Sequence, residues 1–167
     1  MRAGIALGSN IGDRLSCLHA AREQLRALPG VSVPERCSRI YETDPVDTEP
    51  GTTPFLNAVI EVEFTGHPIT LLEALQSVEG QMGRPSKRPR NAPRPIDLDI
   101  LYAGNLVLSN EEIVIPHPRL HLRRFVLQPL ADIRPELVLP GKERSVAELL
   151  AELRDDSGVR VFSEQWE

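Results

Sequence analysis

Residues 55–64 read F-L-N-A-V-I-E-V-E-F. Leu56, Ala58, Ile60, Val62 and Phe64 alternate with Asn57, Val59, Glu61 and Glu63. A period of two places each set on its own face of a β-strand. A strand this long and this regular commits the chain to a sheet with one apolar face that other elements must cover. The polar set then faces solvent.

The rest of the chain supplies partners for that strand. Residues 2–7 are an apolar run ending at Gly8 and predict a strand. Asn10 is placed to cap the next helix, with Asp13 near its positive end. Leu15, Leu18, Ala21, Leu25 and Leu28 recur at helical spacing, and Pro29-Gly30 stops them. Residues 31–41 read as extended, with Pro34 keeping them at an edge or breaking them. Residues 43–54, carrying Pro45, Pro50, Gly51 and Pro54, read as a loop. Thr70 and Glu73 fit a capping box ahead of a helix bearing Leu71, Leu72, Leu75, Val78 and Met82, with Gly83 closing it. Residues 96–102 predict a strand, 103–105 a turn, and 106–108 and 113–115 short strands. Residues 125–133 predict a helix containing Pro129, Ser145 and Glu148 a further capping box, and residues 159–162 a last strand. Strands joined without intervening helices favour an antiparallel α+β sheet over a doubly wound one. The order matches a ferredoxin-like βαββαβ core. At 167 residues the expectation is a single domain spanning 1–167.

Composition narrows the function. Hydrophobic residues are 41% and charged residues 26% of the chain, which is a globular balance. No apolar run reaches the roughly 20 residues of a membrane helix, and the first residues do not resemble a signal peptide. Two cysteines, Cys17 and Cys37, exclude a disulfide framework. The expectation is a cytoplasmic monomer with reduced thiols, without membrane or nucleic-acid partners. A net charge of -5 disfavours a general polyanion binder. Yet residues 84–94 hold Arg84, Lys87, Arg88, Arg90 and Arg94 and no acid. A cationic loop on an acidic chain suits a small, defined anion.

Directly after that loop comes Asp97-Leu98-Asp99. On a strand these carboxylates share one face, roughly 7 Å apart along the chain. Two close carboxylates repel, and a hard divalent cation such as Mg²⁺ relieves the repulsion while bridging to phosphate oxygens. A solvated strand face is the plain alternative. Arg forks and Lys point charges beside such a pair would neutralise a polyphosphate. A solubilising surface loop is the alternative there, and the prolines within it suit a lid. Residues 116–125 form a second basic segment with His117, His121, Arg119, Arg123 and Arg124, placed for another phosphate clamp or as ordinary surface. They show no zinc spacing backed by cysteines. Gly8-Ser9-Asn10 at a strand-to-helix turn resembles an anion cradle. No P-loop, G-x-G-x-x-G or G-x-S-x-G pattern is present.

The run R-N-A-P-R-P-I-D-L-D-I-L at residues 90–101 resembles the signature of the 6-hydroxymethyl-7,8-dihydropterin pyrophosphokinases. A-L-G-S-N at 6–10, Y-E-T at 41–43, F-L-N-A at 55–58, the 79–84 turn, I-P-H-P-R at 115–119 and R-R-F at 123–125 extend it over most of the chain. The resemblance implies transfer of an intact pyrophosphoryl group from ATP to a pterin hydroxymethyl, releasing AMP, in folate biosynthesis. It implies two Mg²⁺ ions held by Asp97 and Asp99, and Arg84 and Arg94 as catalytic cations with those aspartates. It places Gln76, Glu79, Arg84, Arg94, Ile100, His117 and Arg123 around ATP. It places Gly8, Thr43, Val46, Phe55, Asn57, Asp97 and Phe125 around the pterin. Asn57 would read the ring through its amide and Phe125 would stack on it. Asn91 stands where some members carry Trp, and Ser86 where some carry a second loop arginine. The competing readings are an anion- or RNA-binding domain on the same scaffold and a kinase transferring only the γ-phosphate.

Overall fold

The computed structural model describes residues 1–45, 51–83, 95–155 and 158–166. β1 (Arg2–Ser9) leads into α1 (Arg14–Arg26), followed by β2 (Val31–Cys37), β3 (Ile40–Thr43) and β4 (Phe55–Phe64). Then come α2 (Pro68–Gln81), β5 (Asp97–Ala103), the short pair β6 (Leu108–Ser109) and β7 (Val114–Ile115), and a 3₁₀ turn at Leu120–Leu122. α3 (Arg124–Ile133), α4 (Val146–Glu152) and β8 (Val159–Ser163) complete the order.

The main sheet runs β5-β1-β4-β3-β8, with β2 also on β4, and every pairing is antiparallel. β2 and β3 share one side of β4, so the central order is that of a ferredoxin-like sheet, as the sequence predicts. The predicted single extended run divides at Ser38, and Pro34 sits where the β2–β4 register shifts, between Ser32 and Arg36. A proline cannot donate to a ladder, and the bulge spares it that role. Trp166 ties the tail to the same division, its indole N–H donating to the Ser38 carbonyl at 2.8 Å.

Helix starts differ from the sequence reading in two places. Asp13, not Asn10, caps α1 by accepting from the Ser16 N–H at 3.0 Å. Asn10 is buried instead. α2 begins near Pro68, capped by the His67 ring, so Thr70 lies inside the first turn. Pro68 needs no N–H at the first helical position, which makes the earlier start favourable. The Ser145–Glu148 capping box forms as predicted. The expected return strand at 106–108 is confined to Leu108–Ser109, which pairs with β7.

Leu56, Ala58, Ile60, Val62 and Phe64 join Ala3, Ile5, Leu7, Leu98 and Ile100 in the larger core, beneath α1 and α2. The opposite face is not left to solvent. Val59, Leu101 and Tyr102 form a second core with Val126, Leu127 and Leu130 of α3 and Val146 of α4. Glu61, expected on a solvated face, is buried there and paired with Arg134 at 2.7 Å. A buried carboxylate requires such a partner, and the sequence reading missed it because the partner is 73 residues away.

Candidate active site

Among the described residues, α3 and α4 pack on one end of the second face. At the other end a row of side chains crosses the sheet. Asp97 on β5 lies opposite Gly8 on β1, Gly8 opposite Asn57 on β4, and Asn57 opposite Tyr41 on β3. Asp99 opposes Ala6 one row further along, so both carboxylates face this side, as the two-residue spacing requires. Asp97 and Asn57 stand two strand spacings apart, about 10 Å, across Gly8. A methyl group on Gly8 would come 3.0 Å from the Asn57 amide nitrogen and 3.6 Å from the Phe55 ring. The missing side chain leaves a floor bordered by a carboxylate, a carboxamide and a phenyl ring.

The Asn57 carboxamide is oriented. Its Oδ1 accepts from the Thr43 hydroxyl at 2.6 Å, which turns its Nδ2 toward Gly8. That leaves N–H donors directed over the floor. Tyr41 braces the wall behind, its hydroxyl donating to Asp132, which also holds Arg39 at 3.0 Å. Burial and the Asp132 carboxylate push the Tyr41 phenol up to about 12, so it stays a neutral donor.

β5 is the sheet edge, and its outward groups are taken by neighbours. Glu79, buried at the end of α2, accepts from the Leu98 N–H at 3.0 Å, between the two aspartates. The His117 N–H donates to the Leu101 carbonyl at 2.8 Å. This bond brings the second basic segment against the carboxylates. The His117 Nδ1 accepts from the Arg119 N–H at 3.1 Å, so its proton belongs on Nε2. Burial lowers the His117 imidazole, Arg123 and Arg119 lower it further, and Asp97 opposes them. The ring is therefore a neutral donor near pH 7. Arg123 lies 5.5 Å over the Phe125 ring at the start of α3.

The structure thus brings together Gly8, Thr43, Phe55 and Asn57 on one side and Asp97, Asp99, His117 and Arg123 on the other. Gln76 is exposed on α2, one turn before Glu79. Ile100 points into the larger core, so only its main chain borders the site. Arg84, Arg94 and Val46 lie outside the described residues, as do Ser86, Asn91 and the remaining cations of the loop at 84–94. In the sequence Tyr41 stands out only within the Y-E-T element, with no role of its own, and Asp132 and the carbonyl of Leu101 do not stand out, because each acts through a long-range bond.

The fold and this floor define a ferredoxin-like α+β protein with two carboxylates and an oriented carboxamide on one face of its sheet. Residues 4–135 match the family model described as 7,8-dihydro-6-hydroxymethylpterin-pyrophosphokinase (HPPK). The chain belongs to that family. It is 41% identical over 163 residues to a 2-amino-4-hydroxy-6-hydroxymethyldihydropteridine pyrophosphokinase of Bacillus subtilis, covering 98% of this chain and 91% of that one. It is 43% identical over 159 residues to the same-named protein of Methylorubrum extorquens, covering 95% and 96%. Among solved structures, wild-type Plasmodium falciparum HPPK-DHPS with pteroate superposes with a TM-score of 0.69 at 16% identity, over 90% of this chain and 42% of that chain. That likeness speaks for the fold.

Proposed function

We propose that this chain transfers the pyrophosphoryl group of ATP to the hydroxymethyl oxygen of 6-hydroxymethyl-7,8-dihydropterin, releasing AMP, in folate biosynthesis. The observation that carries the reading is the row Asp97–Gly8–Asn57, with Asp99 on the same face. On this reading Asp97 and Asp99 are an anion-handling centre, and Asn57 is a heterocycle reader, on either side of that glycine. A primary alcohol is a poor nucleophile, so the task is alignment and charge neutralisation.

On the pterin side, the Asn57 N–H donors meet ring acceptors, Gly8 gives the flat ring close approach, and Phe55 and Phe125 offer apolar faces. The family resemblance adds Val46 to the expected pterin contacts. On the nucleotide side, the His117 Nε2–H and the Arg123 guanidinium face the triphosphate. Gln76, Glu79 and the Ile100 main chain border the nucleoside, and Arg84 and Arg94 complete the charge by their motif positions. A role for Glu79 in holding Leu98 fits its hydrogen bond better than direct contact with an anionic nucleotide.

Asp97 and Asp99 fit Mg²⁺ as hard oxygen donors. Among the described residues no third His, Cys, Asp or Glu joins them, so phosphate oxygens and water would complete the shell. Such ions supply charge neutralisation along the triphosphate. No described helix is long and apolar enough to cross a membrane, and the proposed setting is the cytoplasm.

Incubation with ATP, MgCl₂ and the dihydropterin should yield AMP and a pterin diphosphate in equal amounts. EDTA should stop the reaction and excess MgCl₂ restore it. ADP as product would replace the reading with γ-phosphate transfer. No nucleotide turnover by the folded protein would favour a binding domain.

A further inference from the structure

The positions of Asp97 and Asp99 depend on a feature two rows away. Gly4 pairs with Tyr102, but the next β1 residue, Ile5, pairs with Ile100. Leu101 is therefore an extra residue, a β-bulge in the edge strand. The bulge reverses the side-chain parity of β5. Asp97 and Asp99 precede it and face the floor. Tyr102 follows it, and without the bulge its ring would lie on the opposite face from theirs. Instead both Leu101 and Tyr102 belong to the second core. A one-residue slip in a strand turns every side chain over. Whatever fixes Tyr102 on this face therefore fixes the aspartates there too.

Tyr102 is fixed by an unusual bond. Its ring crosses β1 directly above Gly4, where a methyl group would meet the ring at Cε1 and lie 2.6 Å from Cζ. Its hydroxyl reaches over that glycine and donates to Glu61 Oε2 on β4. Arg134, at the end of α3, holds the same oxygen at 2.7 Å. Glu61 and Tyr102 are both buried, and Arg134 is partly so. The bulge also serves the nucleotide side, because the Leu101 carbonyl is the acceptor for the His117 N–H.

We propose that Tyr102, locked through Glu61 and Arg134 over Gly4, is a positioning residue that pins the Leu101 bulge and thereby sets Asp97, Asp99 and His117 in place. The proposal rests on the reading of those three residues as the nucleotide side. Thr43 stands on β3, and Asn57 shares β4 with Glu61 but lies four residues from it and away from the Leu101 bulge, so neither should move when the bulge loosens.

Tyr102→Phe removes only the hydroxyl. In that variant kcat should fall about tenfold, with the KM for ATP rising and the KM for the dihydropterin unchanged, since small displacements of reacting groups are costly. Exchange of the His117 amide with deuterium, read by NMR, should accelerate about tenfold because its acceptor is the bulge carbonyl. Glu61→Gln keeps an oxygen for the phenol and should show the same split to a smaller degree, serving as the variant if Tyr102→Phe is too unstable to assay. Unchanged kcat with a lowered Tm, or equal rises in both KM values, would make the lock merely structural and overturn the proposal. If the wild-type chain released no AMP, the reading of the site would fail. His117 exchange would still judge the lock, slow exchange in both proteins overturning it.

Discussion

The same face of one sheet carries two glycines on β1, and they are put to opposite uses. At Gly4 the space is filled from within, because Tyr102 spans it to reach Glu61. At Gly8 the neighbours Asp97 and Asn57 remain on either side of it. The filled row lies under α3 and α4 and the open row beyond them. A strand residue without a side chain removes one contact and creates one space. When that space is covered, a protein group uses it and the sheet gains rigidity. When it is uncovered, a flat ligand gains close approach to the backbone. The closed row holds the frame in which the open row can act.

The largest expected effect breaks the open row. Asp97→Ala and Asp99→Ala should each lower kcat by roughly a thousandfold or more, a loss of about 4 kcal/mol of transition-state stabilisation. Tm should hardly move, since both side chains are only half-buried. Retained turnover with either variant would remove that aspartate from the chemistry.

The two glycines give the sharpest contrast. Gly4→Ala drives a methyl group into the Tyr102 ring, and overpacking of this kind should cost about 2–3 kcal/mol, read as a lowered Cm in urea. Gly8→Ala meets only the Asn57 amide at 3.0 Å and the Phe55 edge at 3.6 Å. Its stability should stay within about 1 kcal/mol of the parent, while the pterin KM rises about tenfold. Equal stability losses at both glycines would erase the distinction between a filled and an open row.

Much of this arrangement was legible in the sequence. The alternation over Phe55–Phe64 and the order of elements give the sheet, and the Asp97-Leu98-Asp99 spacing gives a shared face without any tertiary information. The capping box at Ser145 is equally local. What escaped is what distance in sequence hides. Glu61 looks solvated until Arg134 is seen beside it. The Leu101 bulge leaves no trace in a pattern of apolar residues, because Leu101 and Tyr102 satisfy either parity. His67 capped a helix that Thr70 seemed suited to start, since a ring nitrogen can do the work of a hydroxyl. The resemblance to the pyrophosphokinases supplied residue roles that periodicity alone does not reach.

A smaller effect tests the reader on the open row. Thr43→Val removes the donor that orients the Asn57 carboxamide and keeps the volume. The pterin KM should rise about fivefold, from partial loss of one hydrogen bond, with the ATP KM unchanged. Asn57→Ala should do more in the same direction. An equal rise in both KM values would mean that Thr43 supports the whole floor and not the amide.

The smallest effect should touch only the closed row. Ser145 caps α4, accepting from the Glu148 N–H at 3.2 Å while the Glu148 carboxylate accepts from the Ser145 N–H at 3.1 Å. Ser145→Ala should cost about 1 kcal/mol and leave kcat unchanged, because α4 covers Val59 and Tyr102 and reaches no part of the open row. The Ser145 backbone N–H also holds the Glu148 carboxyl below its usual 4.5, with the Ser145 hydroxyl and then Arg144 assisting. A depressed carboxylate contributes stability above its unfolded value and loses it as pH falls through the folded one. The Tm difference between Glu148→Gln and the parent should therefore be full at pH 6 and shrink as pH drops below about 4.5. A difference that persisted at pH 3 would assign the effect to packing of the longer stem and not to the charge. A change in kcat for either variant would show that the two rows are coupled through α4 as well as through the bulge.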